Sequence, residues 1–152
     1  MKKRKVSAGK IVNRKARFDY DLGDTLLLGI ELTGKETKAL RQGRGQLVGA
    51  HVVVAKGELW LVNATISSGK TFNIPENEAT RTRKLLATKR EIAALIAAKQ
   101  QGQSIIPTDI LTKGRFIKVK IAIGKGKKRY DKRQTIQKRE QDREAHRAMK
   151  RR

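Results

Sequence analysis

The last 29 residues of this chain, 124–152, carry too little apolar surface to build a hydrophobic core. They contain 13 Lys and Arg against 4 Asp and Glu. Such a segment cannot bury enough apolar surface to offset the entropy lost on ordering, so we expect it to be disordered alone. Beside a polyanion, each phosphate that a cation neutralises releases counterions. We therefore predict a basic C-terminal tail that enters a nucleic-acid environment and becomes helical there.

The rest of the chain consists of a basic N-terminal arm, residues 1–10, and a single domain, residues 11–123. Residues 1–17 carry 8 Lys and Arg and no acidic residue. The domain is long enough for one modest core. A net charge of +23 on 152 residues indicates a polyanionic partner, with nucleic acid or an anionic membrane as the two classes.

Composition excludes several kinds of site. The chain has no cysteine, so it forms no disulfide or thiolate metal site, and it suits a reducing cytoplasm. No apolar run approaches the ~18 residues of a membrane span, and no apolar stretch follows the N-terminal lysines as in a secretory signal. His51 and His146 have no second histidine at ligand spacing. We expect no metal, no cofactor and no membrane partner.

Short β patterns alternate with helix signals between residues 11 and 123. Thr33 and Glu36 have the spacing of a capping box, as do Thr88 and Glu91. Turn pairs at 56–57 and 113–114 predict hairpins. Many short strands with two or three short flanking helices indicate a mainly β fold, an OB-like antiparallel β-barrel. The predicted segments are an extended lead-in over 11–17, strands over 26–32, 50–55, 58–63, 104–112 and 115–123, a loop over 67–77, and helices over 37–42 and 91–100.

Three segments combine cations with groups that suit RNA. Residues 13–20 interleave cations with Phe18 and Tyr20, which either stack on bases or pack in the core. Residues 80–86 bring cations and hydroxyls together, which favours phosphate contacts. In the last strand, alternation turns two lysines and Phe116 outward. The RNA-binding candidates from these patterns are Asn13, Arg14, Lys15, Arg17, Arg81, Thr82, Arg83, Lys84, Lys118 and Lys120.

One segment, residues 64–71, is similar to a phosphate-binding P-loop. It follows a predicted strand, but Ala64 replaces the first glycine, and Pro75 rather than a helix follows. Without a helix N-terminus, the motif lacks the backbone donors and the dipole that hold an anion. The carboxylates are scattered singly, and no Gly-x-Ser-x-Gly occurs. We expect no enzymatic activity.

Four motifs follow one another along roughly residues 11–152. They are Asn13-x-Lys15-Ala16-Arg17-x-Asp19-Tyr20, Leu32-Thr33-Gly34-x-Glu36-x-Lys38-x-Leu40-Arg41, Arg81-x-Arg83-Lys84-Leu85-Leu86 with Lys89-Arg90-Glu91-Ile92, and Lys125-Gly126-Lys127-Lys128-x-Tyr130-Asp131-Lys132-Arg133. In this order they resemble the small protein B (SmpB) family, the bacterial proteins that bind transfer-messenger RNA. The resemblance implies an OB-like barrel with a tail that is flexible in solution.

The resemblance also implies partners and site residues. The family's barrel binds the tRNA-like end of transfer-messenger RNA and, with elongation factor Tu, helps it enter a stalled ribosome. The family's tail becomes a helix in the empty decoding centre and mRNA channel. Leu86 and Lys118 match RNA-contacting positions, and Tyr130 matches a stacking candidate against decoding-centre rRNA. The implied tail site comprises Lys125, Lys127, Lys128, Tyr130, Asp131, Lys132, Arg133 and Met149, the last at an apolar position needed after accommodation.

Some positions depart from the family pattern. Residues 27–29 read Leu-Leu-Gly where Glu-Ala-Gly is usual, so the glutamate contact to RNA is missing or comes from Glu31. Phe18 stands where histidine is usual, and residues 74–77 replace a His-Asp-Pro. A general rRNA-binding ribosomal or ribosome-assembly protein is the alternative function, because basic arms on a small barrel would suit it equally well.

Overall fold

Nine strands and five helices make up residues 9–150, the part of the chain that the structure, a computed structural model, describes. Residues 1–8 of the predicted arm and residues 151–152 of the tail lie outside it. The strands are β1 (Lys10–Val12), β2 (Tyr20–Ile30), β3 (Gly45–Gln46), β4 (His51–Ala55), β5 (Glu58–Val62), β6 (Thr65–Ile66), β7 (Arg83–Leu86), β8 (Ser104–Leu111) and β9 (Lys118–Gly126). The helices are α1 (Arg14–Asp19), α2 (Gly34–Arg41), α3 (Glu76–Ala79), α4 (Lys89–Gln100) and α5 (Arg129–Lys150).

Seven of the strands form one antiparallel sheet in the order β1-β8-β9-β2-β7-β5-β4. The remaining two, β3 and β6, pair with each other in a separate small sheet. The large sheet curls, since β4 at one edge also contacts β8 near the other edge. The predicted mainly β, antiparallel class with short flanking helices is confirmed.

The core lies on the inner face of the curled sheet. In β9, Val119 and Ile121 are fully buried while Lys118 is exposed, as strand alternation predicts. Leu40 of α2 and Leu95 of α4 are also fully buried in the structure. Leu40 belongs to the same core cluster as Leu28, Leu47, Leu59, Leu61, Ile66, Leu85, Ile105 and Ile110.

Both predicted capping-box sequences begin helices, and the reciprocal pair of bonds that defines the box forms at Thr88. At the start of α2, Thr33 Oγ1 accepts a hydrogen bond from the backbone N–H of Glu36 at 3.3 Å. At the start of α4, Thr88 Oγ1 accepts from the backbone N–H of Glu91, whose carboxylate accepts from the Thr88 N–H at 2.8 Å. Such caps satisfy N–H groups that have no partner within the helix. The local sequence therefore determines where α2 and α4 begin.

The extended lead-in over residues 11–17 is wrong beyond Asn13, because Asn13 caps α1. Its Oδ1 accepts a hydrogen bond from the backbone N–H of Ala16 at 3.2 Å. Its Nδ2 donates to the carbonyl oxygens of Leu47, at 3.1 Å, and Pro107, at 2.9 Å. Asparagine is a favoured N-cap residue. This side chain therefore starts a helix and ties it to two distant segments.

The sheet has one strand that the pattern of residues does not predict, and two that run further than predicted. β7 lies between β2 and β5 in the residue 80–86 segment, where the two buried positions are Arg83 and Leu85 and only Leu85 is apolar. β2 begins at Tyr20 because residues 20–22 pair with residues 124–126 of β9. The predicted domain boundary after residue 123 therefore falls inside β9, and the sheet ends three residues later.

The tail forms α5, a helix whose residues are all partly or fully exposed. The tail is thus helical in the structure, the form predicted for its RNA-bound state. The disorder expected of the tail in the absence of RNA stays a prediction. Within residues 9–150, no helix combines the length and apolar character that crossing a bilayer requires.

Candidate nucleic-acid interface

Four side chains meet on the outer face of the sheet, where β9, β2 and β7 lie side by side. In register, Leu27 lies opposite Lys120, and Gly29 lies opposite both Lys118 and Leu86. Residues that are directly opposite in antiparallel strands share a face of the sheet. We call Leu27, Leu86, Lys118 and Lys120 the central patch. Two of its members, Lys118 and Lys120, come from the predicted outward face of β9, and two, Leu86 and Lys118, match RNA-contacting positions of the family.

The central patch combines exposed apolar surface with positive charge. Leu27 and Leu86 are 48% and 49% exposed, although both lie in interior strands of the sheet. Gly29 makes room for this arrangement, because a Cβ on it would lie only 3.2 Å from the Cβ of Leu86. RNA offers phosphates to cations, and sugars and base faces to apolar side chains. The patch therefore suits a nucleotide surface better than bulk water.

Helix α1 places a basic strip beside the central patch. Arg14, Lys15 and Arg17 are all exposed. One guanidinium nitrogen of Arg17 lies 3.8 Å from the carboxylate of Asp109, which is itself buried. Asp109 is the register partner of Lys120 in the central patch. The buried carboxylate therefore holds Arg17 next to the patch while 55% of the arginine side chain stays exposed.

Asn13, predicted to contact RNA, is buried instead. It is 3% exposed, and its amide group makes the three hydrogen bonds to Ala16, Leu47 and Pro107 described above. A buried amide with these partners has no free face for a phosphate. The prediction of RNA contact is therefore wrong for Asn13, whose role is to cap and anchor α1.

Arg83 is the second predicted RNA contact that serves the fold instead. It has no exposed surface, and its Nε donates to Glu36 Oε2 at 2.5 Å. The same guanidinium donates to four backbone carbonyl oxygens, of Ala64 (2.9 Å), Arg81 (3.0 Å), Ala79 (3.1 Å) and Glu78 (3.3 Å). Arginine suits such a site because its planar guanidinium group supplies five N–H donors. It joins α2, β6 and the α3 segment to β7 and cannot reach RNA.

Glu36 is the counterion at the centre of this network. It is 2% exposed, and it also accepts a hydrogen bond from Arg81 Nε at 2.7 Å. Burial alone would raise the pKa of its carboxyl group, but the hydrogen bonds and charges of Arg81 and Arg83 outweigh burial and lower the pKa below 4.5. Glu36 is therefore ionised at neutral pH and balances the buried Arg83.

The other residues of the 80–86 segment divide between partners within the protein and solvent. Arg81 forms an ion pair with Glu36, and 36% of its side chain stays exposed. Lys84 Nζ lies 3.1 Å from the carboxylate of Glu58, and a third of its side chain is exposed. Thr82 and Leu86 are exposed. In this segment, predicted to bind phosphate through its cations and hydroxyls together, the exposed residues are thus Thr80, Thr82 and Leu86.

The base of the tail is held against α1 by a small set of contacts. The backbone N–H of Lys127 donates to the carbonyl oxygen of Asp19 at 2.8 Å. Lys127 Nζ donates to the carbonyl oxygen of Arg17 at 3.3 Å, and Lys132 Nζ lies 3.2 Å from the Asp19 carboxylate. The Arg139 guanidinium lies 5.6 Å from the centroid of the Phe18 ring. Phe18 therefore packs against the tail helix rather than in the core.

Most of the predicted tail residues face solvent. Tyr130 is 68% exposed, and its hydroxyl oxygen accepts a hydrogen bond from Gln134 Nε2 at 2.8 Å. Met149, near the end of α5, is 76% exposed. An open groove between α5 and the ends of β2 and β9 is lined by four lysines and two aspartates, together with Gly126, Gln134 and Thr135. The other exposed members are Lys125, Lys128, Asp131 and Arg133.

The segment similar to a P-loop has no phosphate cradle. Thr65 and Ile66 form β6, and Ala64 is buried. The next helix, α3, starts ten residues after Ile66 and has four residues. The Ser68 hydroxyl is engaged with Asn73 and Ile74, which closes the loop on itself. Among residues 9–150, no three His, Asp or Glu side chains gather where they could hold a metal ion.

Comparison with known proteins decides the family. The model of the SmpB protein family matches residues 10–151. The chain belongs to the SmpB family. Curated relatives of this SmpB chain include the SsrA-binding protein of Trichormus variabilis, 43% identical over 143 residues, covering 91% of the chain and 90% of the relative. The SsrA-binding protein of Lactobacillus gasseri is 48% identical over 136 residues, covering 89% and 90%.

The fold of this SmpB chain also resembles that of a chain in a solved structure. That structure is described as "tmRNA-SmpB: a journey to the center of the bacterial ribosome". The matched chain is 32% identical, with a TM-score of 0.67, and the match covers 85% of this chain and 95% of that chain. The similarity extends to overall architecture and is not limited to the sequence motifs.

Leu27 is a candidate site residue that hydrophobic patterning does not identify, although the family resemblance aligns it with a glutamate that contacts RNA. It lies in a run of three leucines, 26–28, in which Leu28 is buried and Leu27 is half exposed. An unbroken apolar run gives no alternation from which the outward residue can be chosen. Apart from that alignment, its register opposite Lys120 places it on the outer face, and this register is available only once strand pairing is known.

Proposed function

We propose that this protein is a non-catalytic adaptor that binds the tRNA-like domain of transfer-messenger RNA and delivers it to stalled ribosomes for trans-translation. The observation that carries the proposal is membership of the SmpB family across residues 10–151, with relatives described as SsrA-binding proteins. The exposed central patch and the basic strip of α1 supply a surface of the required chemistry. Its partners are RNA and the ribosome, and its place of action is the cytoplasm.

RNA is bound, in this proposal, by the outer face of the curled sheet, which we interpret as an OB-like barrel. Lys118, Lys120 and the cations of α1 neutralise phosphates, while Leu27 and Leu86 cover the sugar and base surface between them. Leu27 stands where the family usually has a glutamate that contacts RNA, so the contact at this position is apolar instead of polar. Elongation factor Tu acts through the RNA, so it needs no dedicated surface on this chain.

The tail serves a separate step in the proposed cycle. With 13 cations and few apolar residues, residues 124–152 fit the phosphate-lined decoding centre and mRNA channel of a ribosome without a codon. We propose that α5 gains its stability there and is disordered in the free protein. Tyr130, exposed at its first turn, would stack on a decoding-centre base.

The proposal is tested by competition binding. Labelled tRNA-like domain is titrated with the intact protein at several salt concentrations, with an equal excess of ordinary tRNA as competitor. Binding that survives the competitor, with a modest salt slope, is the expected result. Binding that the competitor removes and that collapses as salt rises would show that charge alone is at work. The general rRNA-binding function would then be the better assignment.

A further inference from the structure

Phe116 has a solvent-exposed aromatic ring, and the proposed function so far assigns no role to this ring. It lies between β8 and β9 and is 70% exposed. Its neighbour Ile117 is buried at 6% exposure, so the chain is anchored in the core directly beside the exposed ring. Exposed aromatic surface is unfavourable in water and is enriched where a partner covers it.

The loop that carries Phe116 is braced from α2. Arg41 donates through its guanidinium to the carbonyl oxygens of Thr112 (3.0 Å), Gly114 (3.1 Å) and Arg115 (3.2 Å). Gly114 has φ +93°, a conformation that glycine adopts without strain, and it lets the chain turn. A loop held at three carbonyls presents its ring in a fixed direction, so little entropy is lost when a partner covers it.

The charge around the ring identifies the kind of partner. Lys113, Arg115 and Lys118 are exposed around it, and residues 112–118 contain no acid. The Arg115 guanidinium lies 5.6 Å from the centroid of the ring. Lys118 also belongs to the central patch, so the ring continues that surface. A flat aromatic face among cations matches a nucleobase with its flanking phosphates.

We infer that Phe116 is a stacking platform for an unpaired nucleobase of the bound RNA, with Lys113 and Arg115 on the adjacent phosphates. This inference rests on the proposed function, because the RNA is the tRNA-like domain that the central patch binds. It adds to that surface a site for a base at the β8–β9 loop. Arg41 is the positioning residue, since it fixes the loop without facing the base.

The test compares five variants with the wild type for binding to the tRNA-like domain and to ordinary tRNA. Phe116→Ala should weaken binding about 5- to 150-fold, the cost of losing one base stack. Phe116→Trp should restore it, while Phe116→Leu, which keeps apolar bulk without a π face, should not. Val48→Ala is the matched control, because Val48 is an exposed apolar residue outside the proposed surface.

The salt dependence separates stacking from charge. Phe116→Ala should leave the slope of log affinity against log salt unchanged, whereas Arg115→Ala should reduce it by about 1. If Phe116→Ala binds within about twofold of the wild type, or if Phe116→Leu restores binding as well as Phe116→Trp, stacking is overturned. If the wild type shows no preference for the tRNA-like domain, the proposed function fails. An equal loss of affinity for both RNAs in Phe116→Ala would then still support Phe116 as a stacking platform for a nucleobase.

Discussion

Replacing Glu36 by glutamine removes the counterion of a fully buried arginine while keeping the size of the side chain. In the wild type, Glu36 accepts hydrogen bonds from Arg83 at 2.5 Å and from Arg81 at 2.7 Å. In Glu36→Gln, one amide oxygen can still accept a hydrogen bond, but the negative charge is gone. Arg83 then stays buried with its positive charge unbalanced.

The expected loss of stability follows from what remains around Arg83. Breaking a buried ion pair by removing one partner costs about 3–5 kcal/mol, because a buried charge is left uncompensated. Four backbone carbonyl oxygens still accept from the guanidinium, which favours the lower end, about 3 kcal/mol. Since a domain is stable by about 5–15 kcal/mol, this is a large fraction of the total.

Urea unfolding followed by the fluorescence of Trp60, the single tryptophan, measures the loss. The pKa of Glu36 is lowered in the folded protein, so its ion pairs add stability above about pH 4.5 that is lost as pH falls through the folded pKa. The difference between wild type and Glu36→Gln should therefore shrink in acid. Glu58→Gln is the control, because its pair with Lys84 is partly exposed to solvent and should matter by less than about 1 kcal/mol. A Glu36→Gln protein as stable as Glu58→Gln at pH 7 would refute the reasoning.

Three further changes test the rest of the structure. Asn13→Ala should destabilise by at least about 2 kcal/mol, because a cap is lost and two buried carbonyls lose their donor; thermal unfolding measures this, and a loss below about 0.5 kcal/mol would contradict it. Deleting residues 129–152, which leaves β9 whole, should preserve binding to the tRNA-like domain and abolish tagging of stalled products; a truncated protein that still tags would exclude the tail mechanism. Tyr130→Ala should slow peptidyl transfer to alanyl transfer-messenger RNA by the loss of a stack of roughly 1–3 kcal/mol, whereas Tyr130→Phe should not; equal rates for both would remove the stacking role.

Local chemistry made part of this fold predictable. The capping boxes at Thr33 and Thr88 contain their whole signal within four residues, and both helices begin there. Alternation in β9 placed Lys118 on the outer face correctly, because residues 117–121 alternate between apolar residues and lysines. At these places, the residues that determine the local structure lie within the same helical turn or the same strand, so the sequence alone is sufficient to predict it.

Arg83 and Asn13 failed as predicted RNA contacts because their partners are distant in the chain. The bonds of Arg83 reach Glu36 and Ala64, and those of Asn13 reach Leu47 and Pro107. A cation or an amide in a basic segment looks the same whether it meets phosphate or a buried carbonyl. Tertiary pairing decides between the two, and no local pattern reports it.

The length of α5 gives its few contacts with α1 an effect far from where they lie. Its 22 residues span about 33 Å at 1.5 Å per residue, with Met149 almost at the far end. Used as a lever, a helix of that length moves its tip by about 6 Å for each 10° of rotation at its base. The Lys132–Asp19 ion pair and the Lys127–Asp19 backbone bond lie at that pivot. Where α5 is formed, as we propose for the ribosome, a 10° rotation at Asp19 would therefore displace the last turn of the tail by about 6 Å.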